Sequence, residues 1–477
     1  MNSLARKLVT GSCALLIAFA PAIAPTFAPS SISPGEWSQA AYAAVPVDDE
    51  VIMDDLANEI LRKEIDLERY YLKYRVEGTK EPKYRRARYF AFQVSSAMTS
   101  LASNITNVAL SASHTKTPET ISVRGSQQGL RVGLVGIALD GGSSAIELCS
   151  NGYTAIKHIR NGTSPGAAVK NVVARIKTID SMIAQREAIL NKHPELEAMP
   201  VYRCESRVLK SFRDWCLSEF ADVYADVKST QASFNVYYIL DIIADCSYTV
   251  SQILAIKSLT RPELGNASAN TGLVGDSFGI LSAPASAKSY NIMYRYWRKR
   301  LSATLQEDLK SSEKETKAAM GELNKELASR DASILEAAGS VQNRISVYLL
   351  WSARYDKFIE QGLIDQRYQN KVALQGVISG PAISGTYLAQ DIMASVALNR
   401  LRDRPKAANN LYMAGGIAST AGSATSLALT NYLLFDQLCY QKRMRAKNLL
   451  PEQLLSARLI TLDELDQRLK AADPLGH

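Results

Sequence analysis

Residue types that commonly do chemistry are sparse in this chain of 477 residues. Its four histidines, His114, His158, His193 and His477, have no second ligand at helical spacing. There is no His-Glu-x-x-His and no Cys-x-x-Cys, so no metal-ligand set is legible. Neither a phosphate-cradling Gly-Lys-Ser/Thr loop nor the strand–loop–helix setting of a dinucleotide site occurs, and no cofactor is expected. One string, Gly275-Asp276-Ser277-Phe278-Gly279, has the Gly-x-Ser-x-Gly form of a nucleophile elbow. An elbow needs a strand before it, and an acid and a histidine later in the chain. Here an Asn- and Ala-rich stretch precedes it, and the only later histidine is the terminal His477. The chain is read as non-enzymatic, with no catalytic residue assigned.

Two sets of charged residues carry the remaining expectations. Asp241 and Asp245 lie four apart, on one face of an apolar helix. Buried acids need hydrogen bonds or cations, and pairing with a neighbouring Arg or Lys is expected. The second set is basic with one aromatic member: Arg295, Trp297, Arg298, Lys299 and Arg300 follow one apolar hairpin, and Lys442, Arg443 and Arg445 follow another. With Tyr294, Tyr296 and Tyr440 beside them, these residues suit contact with an anionic membrane surface. The net charge of +8 permits such a partner without demanding one. Nucleic acid is not expected, because acids balance the basic clusters and the chain carries an export signal.

That signal opens with Arg6 and Lys7, continues through the apolar run from Cys13 to Ala24, and ends in Ala41-Tyr42-Ala43. The pattern is that of a secretory signal peptide over residues 1–43, which places the mature chain in the periplasm or cell envelope. Five cysteines remain: Cys149, Cys204, Cys216, Cys246 and Cys439. Cys204 and Cys216 sit on one uninterrupted helical stretch, roughly 18 Å apart at 1.5 Å per residue. A disulfide tolerates about 4.4–6.8 Å between Cα atoms, so they are not expected to bridge.

The elements that position these residues are helical. Apolar residues make up 47% and charged residues 21%, and no run alternates like a strand, so the fold class is all-α. Three stretches share one plan: a small-residue apolar run, a Pro-containing link, then a second such run. The links carry Pro118, Pro262 and Pro405, spaced 262 − 118 = 144 and 405 − 262 = 143 residues apart. The Gly-Leu-Val-Gly segments begin at Gly133 and Gly272, 272 − 133 = 139 residues apart. Three tandem repeats of about 140 residues are expected: 44–230, 231–365 and a shortened 366–477.

Long amphipathic helices lie between the hairpins. Val169, Val172, Ile176, Ile179, Ile183 and Leu190 keep a seven-residue pattern with one miss, at Arg186. Met320, Leu323, Leu327 and Ile334 keep the same step. The last helix is predicted to start at a capping box, with Thr461 as N-cap and Glu464 three residues on. The segment Leu459–Leu469 resembles a short helical motif at the C-termini of bacterial envelope proteins.

Whether the hairpins enter a membrane decides the function. Leu411–Phe435 has 25 residues without a charge, enough to span a bilayer, and its small residues suit close helix contact. Asp140, Asp241, Asp245 and Asp276 interrupt the other runs, and an acid at mid-bilayer costs about 2.5–3.5 kcal/mol. Basic clusters at the hairpin bases mark a cytoplasmic side, whereas a signal peptide places those bases outside. The first reading is therefore a soluble envelope scaffold that binds a protein partner or itself and touches a membrane surface. The alternative is an integral membrane protein whose three hairpins form a bundle, a pore or transport accessory.

Overall fold

A computed structural model describes residues 49–79, 85–116, 123–193, 200–306, 309, 313–328, 339–401 and 403–471. The signal-peptide segment 1–43, the link around Pro118, Ile334 and His477 lie outside the described residues. Among the described residues there is no strand, and the fold is all-α. The helices are α1 (Asp49–Thr79), α2 (Arg85–Lys116), α3 (Val123–Arg160), α4 (Pro165–Lys192) and α5 (Pro200–Ser258). They continue with α6 (Gly265–Leu305), α7 (Glu313–Ala328), α8 (Gly339–Arg400), α9 (Pro405–Ala446) and α10 (Pro451–Ala471).

Proline sets several of the starts. It opens α4, α5, α9 and α10, where its missing N–H is no loss and its fixed φ already suits a helix. At α4 the Ser164 side chain also accepts the Ala167 N–H as an N-cap. Pro262 opens a 3-10 turn, Pro262–Leu264, between α5 and α6. Two link prolines of the sequence thus sit at the tips of helical hairpins.

Two regions follow from the pattern of side chains. The first is a bundle of α1, α4, the first half of α5, α7, the first half of α8, and α10. Its core is large and apolar: Met53, Ile60, Leu61 and Leu72 of α1 meet Val172 and Ile179 of α4, and Phe212 and Phe220 of α5. Leu323 of α7, Tyr348 and Trp351 of α8, and Leu462 and Leu465 of α10 complete it. Phe212 stacks on Trp351 at 4.7 Å between ring centroids, and Trp215 meets Tyr355 edge-on at 4.3 Å. Burying such side chains contributes about 1.5–3 kcal/mol each.

The second region is a cycle of six helices. α2 packs on α3, α3 on α5, α5 on α6, α6 on α8, α8 on α9, and α9 back on α2. α5 and α8, 59 and 62 residues long, run unbroken from the bundle into this cycle. Positions 230/231 and 365/366 therefore fall inside continuous helices. Cys204 and Cys216 lie on α5 as expected, and both are free thiols. Thr461 is not an N-cap: α10 begins ten residues earlier at Pro451, and Thr461 is buried in mid-helix with its hydroxyl on the Ala457 carbonyl. The apolar seam Leu454, Leu455, Leu462, Leu465, Leu469 runs through the box and overrides it.

Candidate functional site: the interior of the six-helix cycle

Small residues let the six helices approach, and they do so at every seam. A Cβ on Gly136 of α3 would lie 2.6 Å from Thr99 Oγ1 of α2, and one on Gly141 of α3 3.0 Å from Asp245 Cβ of α5. On Gly275 of α6 it would meet the Tyr248 ring of α5 at 2.8 Å, and on Gly279 of α6 Ser384 Oγ of α8 at 3.0 Å. On Gly415 of α9 it would meet Gln390 Cα of α8 at 3.2 Å, and on Gly416 of α9 Val108 of α2 at 2.9 Å. Real Cβ atoms essentially never approach within 3.0 Å, so a side chain at Gly136, Gly275 or Gly416 would force a neighbour to shift.

Hydrogen bonds between small polar side chains reinforce the seams. Asn104 of α2 donates to Ser423 Oγ of α9 at 2.8 Å, and Tyr387 of α8 bonds the same hydroxyl at 2.7 Å. Ser251 of α5 and Ser268 of α6 each donate to the other's carbonyl, at 2.9 and 2.8 Å. Ser103 donates to the Gly129 carbonyl at 2.8 Å, from α2 to α3.

The large apolar side chains point the other way. Met98, Ile105, Val135, Ile156, Leu281, Leu374, Ile378, Ile417 and Phe435 are all more than half exposed. Val123–Lys192 and Pro200–Ser258 are long and apolar enough to cross a membrane by length and composition. Only 28% and 11% of their most apolar windows is buried, whereas the core helix of a soluble protein is mostly buried. Two prolines, Pro284 of α6 and Pro381 of α8, lie inside cycle helices. They sit at one level of the α6–α8 seam, where a Cβ on Gly380 would touch Ala283 at 3.8 Å.

Acids gather at the contacts between these helices. Carboxylate oxygens of Asp140, Asp241 and Asp245 all lie within 4.8 Å of one another, from α3 and α5. Gln93 of α2 donates to Asp140 Oδ1 at 2.5 Å, and Ser144 of α3 donates to Asp241 Oδ2 at 2.6 Å. Asp245 Oδ2 is buried with no hydrogen-bond donor. Further along, Tyr248 donates to the buried Asp276 at 2.8 Å. Asp391 reaches across from α8, its carboxylate lying against Gly272 where a Cβ would stand.

The pairing expected for Asp241 and Asp245 is not found. No Lys or Arg forms an ion pair with Asp140, Asp241, Asp245, Asp276 or Asp391 among the described residues. The reason is compositional: 89–115, 132–156, 229–256, 265–287, 372–399 and 407–441 contain no Lys or Arg at all. Acids that have basic partners sit at the ends of these segments. Glu147 bonds Arg85 and Arg88, and Asp436 lies 3.7 Å from Lys371.

The basic candidates lie at the same base. Arg295, Lys299 and Arg300 are exposed at the end of α6, as are Lys442, Arg443 and Arg445 at the end of α9. Three members are engaged in the protein itself. Arg298 pairs with Asp222 at 3.1 Å and donates to the Leu309 carbonyl. Trp297 is half-buried against the apolar core, with Lys228 and Arg300 over its ring at 4.7 and 5.4 Å. Ser277 of the Gly-x-Ser-x-Gly string lies in the middle of α6 and donates to the Leu273 carbonyl, so it forms no nucleophile elbow.

Asp140 is the residue that sequence reasoning missed as a partner of the α5 pair. It lies 101 residues before Asp241, and only the tertiary fold joins them. Its signal was present as an acid inside a run otherwise free of charge. Comparison with known protein families, with characterised proteins and with solved structures finds no match.

Proposed function

We propose that the six-helix cycle is a membrane-embedded bundle with a polar, acid-lined interior, and that the apolar-core bundle stands on one side of that membrane. The observation that carries this reading is the inverted distribution of side chains. Large Leu, Ile and Phe side chains are exposed while Ser, Gly, Asp245 and Asp276 are buried between the helices. In water an exposed apolar belt of this kind is unfavourable, at about 25 cal/mol per Å²; in lipid it is the stable arrangement.

Length and chemistry agree with it. The uncharged stretch from Tyr89 to Ser113 of α2 spans 25 residues, against about 20 needed for a 30 Å hydrocarbon core. Close glycine seams and Ser/Asn hydrogen bonds are the packing that membrane helices use, and interior prolines are tolerated there. Acids inside membrane segments face the bundle interior and mark ion or substrate paths. Each hairpin leaves and returns on one side, so all bundle elements share a side, and the basic bases meet the headgroups there. This reverses the order in which the sequence ranks its two readings.

The repeat plan fits the same picture, since three copies of one hairpin would each supply two helices to the cycle. Export remains part of the proposal, with the signal segment delivering the chain to the envelope. The role is non-enzymatic: a pore or transport accessory whose bundle offers the surface for a protein partner.

Fractionation of the native host tests the reading. Membranes washed with high salt and then alkaline carbonate are expected to retain the protein until detergent is added. Release by either wash overturns insertion and restores the soluble scaffold.

A further inference from the structure

We infer that Asp140, Asp241 and Asp245 form a binding site for a hard divalent cation, of the size and chemistry of Ca²⁺. The inference assigns a ligand to the interior described above and rests on geometry that holds whether or not the cycle is inserted. Three carboxylate oxygens within 4.8 Å of one another can share one ion. At Ca–O distances of 2.3–2.6 Å, ligands on opposite sides of an ion stand about 4.6–5.2 Å apart.

A second observation points to a ligand. Asp245 is only 7% exposed, yet its Oδ2 has no hydrogen-bond donor among the described residues. A buried carboxyl oxygen without a partner is costly, and neighbouring carboxylates raise the cost of charging it. The protein offers donors to the other two members, Gln93 to Asp140 and Ser144 to Asp241. It leaves the third without one, packed beside Gly141, where a Cβ would stand 3.2 Å from Asp245 Oδ2. No basic side chain can neutralise the group, because the surrounding helix segments contain none. An all-oxygen donor set with no thiolate or imidazole selects a hard cation over zinc or copper.

The full chain, purified in detergent and stripped of metal with chelator, is tested by equilibrium dialysis with radioactive Ca²⁺ alone. About one Ca²⁺ per chain is expected, and Asp241→Asn or Asp245→Asn should weaken it at least about tenfold, since ligand charge sets affinity. Asp436→Asn, at the paired acid near the base, should leave it unchanged.

Thermal unfolding supplies the second readout. Ca²⁺ should raise the wild-type Tm, and the double variant D241N/D245N should melt higher than metal-free wild type and ignore Ca²⁺. An ion pair hidden in the fold would give the opposite sign, because losing it lowers Tm. No bound Ca²⁺ in the wild type, or binding unchanged in both variants, overturns the site. Carbonate release of a chain that still binds Ca²⁺ would remove the membrane reading and leave this one standing.

Discussion

The bundle and the six-helix cycle both bury charge, and they do so by opposite rules. In the bundle, Glu205 is met by Arg186 at 2.7 Å and Arg344 at 2.6 Å, and Arg344 also reaches Asp54 at 2.6 Å. Glu68 takes both Arg458, at 2.6 and 2.9 Å, and the Trp351 N–H at 2.6 Å. In the cycle, five acids have no ion pair with a Lys or Arg among the described residues. The size of buried side chains inverts as well: aromatics and Leu fill the bundle, Gly and Ser line the cycle. A core that excludes water can hold charge only as neutral sets. A polar interior wrapped in apolar surface can hold unbalanced charge if something mobile balances it.

The largest effect that would break this contrast is at the paired site. Arg344→Met leaves Glu205 and Asp54 short of a cation, and a loss of about 3–5 kcal/mol is expected in chemical denaturation of the bundle. Burial alone would raise the Glu205 carboxyl; Arg344 and Arg186 more than offset this and hold it below the usual range. Its contribution is thus present above the unfolded value and is lost as pH falls through the folded one. Arg344→Met should therefore also shrink the acid-side slope of stability. A wild-type-like denaturation curve would show that the network contributes nothing.

Overpacking a seam comes next. Gly275→Leu drives a side chain into the Tyr248 ring and the Ala244 carbonyl, and about 1–3 kcal/mol should be lost. Gly142→Ala, one helix away, meets nothing within 4 Å and should gain up to about 1 kcal/mol from helix propensity. Equal responses would mean that the seams are looser than drawn.

A smaller effect sharpens the rule from inside the bundle. Glu64 is buried and neither of its oxygens has a hydrogen bond, so it is the bundle's one departure from pairing among the described residues. Burial, and then the charge of Asp214, push its carboxyl well above the usual range. An acid with a raised folded value supports the fold below its unfolded value and loses that support as pH rises through the folded one. Glu64→Gln should stabilise by about 1–2 kcal/mol, more at alkaline than at mildly acidic pH. A loss of stability at pH 8 would indicate an unrecognised partner.

Much of this architecture was legible along the chain, and particular residues show where legibility ended. Periodicity gives α4 its seam, and the one miss in that pattern, Arg186, turns out to lie in the seam, buried against Glu205. A pattern that sorts residues into apolar and polar cannot distinguish a buried ion pair from an error. Thr461 and Glu464 had the spacing of a cap, but local spacing yields to a continuous apolar stripe. The hairpins were visible because Pro262 and Pro405 punctuate them. Which way their side chains face was not, since Ala, Gly and Ser read alike in a soluble core and in a membrane seam. Asp140 joined Asp241 only through tertiary proximity, which the spacing of residues does not encode.

α5 is a strut of 59 residues, about 88 Å at 1.5 Å each, and it contains neither glycine nor an interior proline. It carries Glu205 near its start, and Asp241 and Asp245 36 and 40 residues further on. Its neighbours α6 and α8 each have a joint, at Pro284 and Pro381. A stiff rod beside two articulated ones works as a lever. Tilting the bundle by about 5° about one end of such a rod would carry the far end about 8 Å, by the same rise per residue. Whatever grips the bundle therefore grips the same rod that carries Asp241 and Asp245.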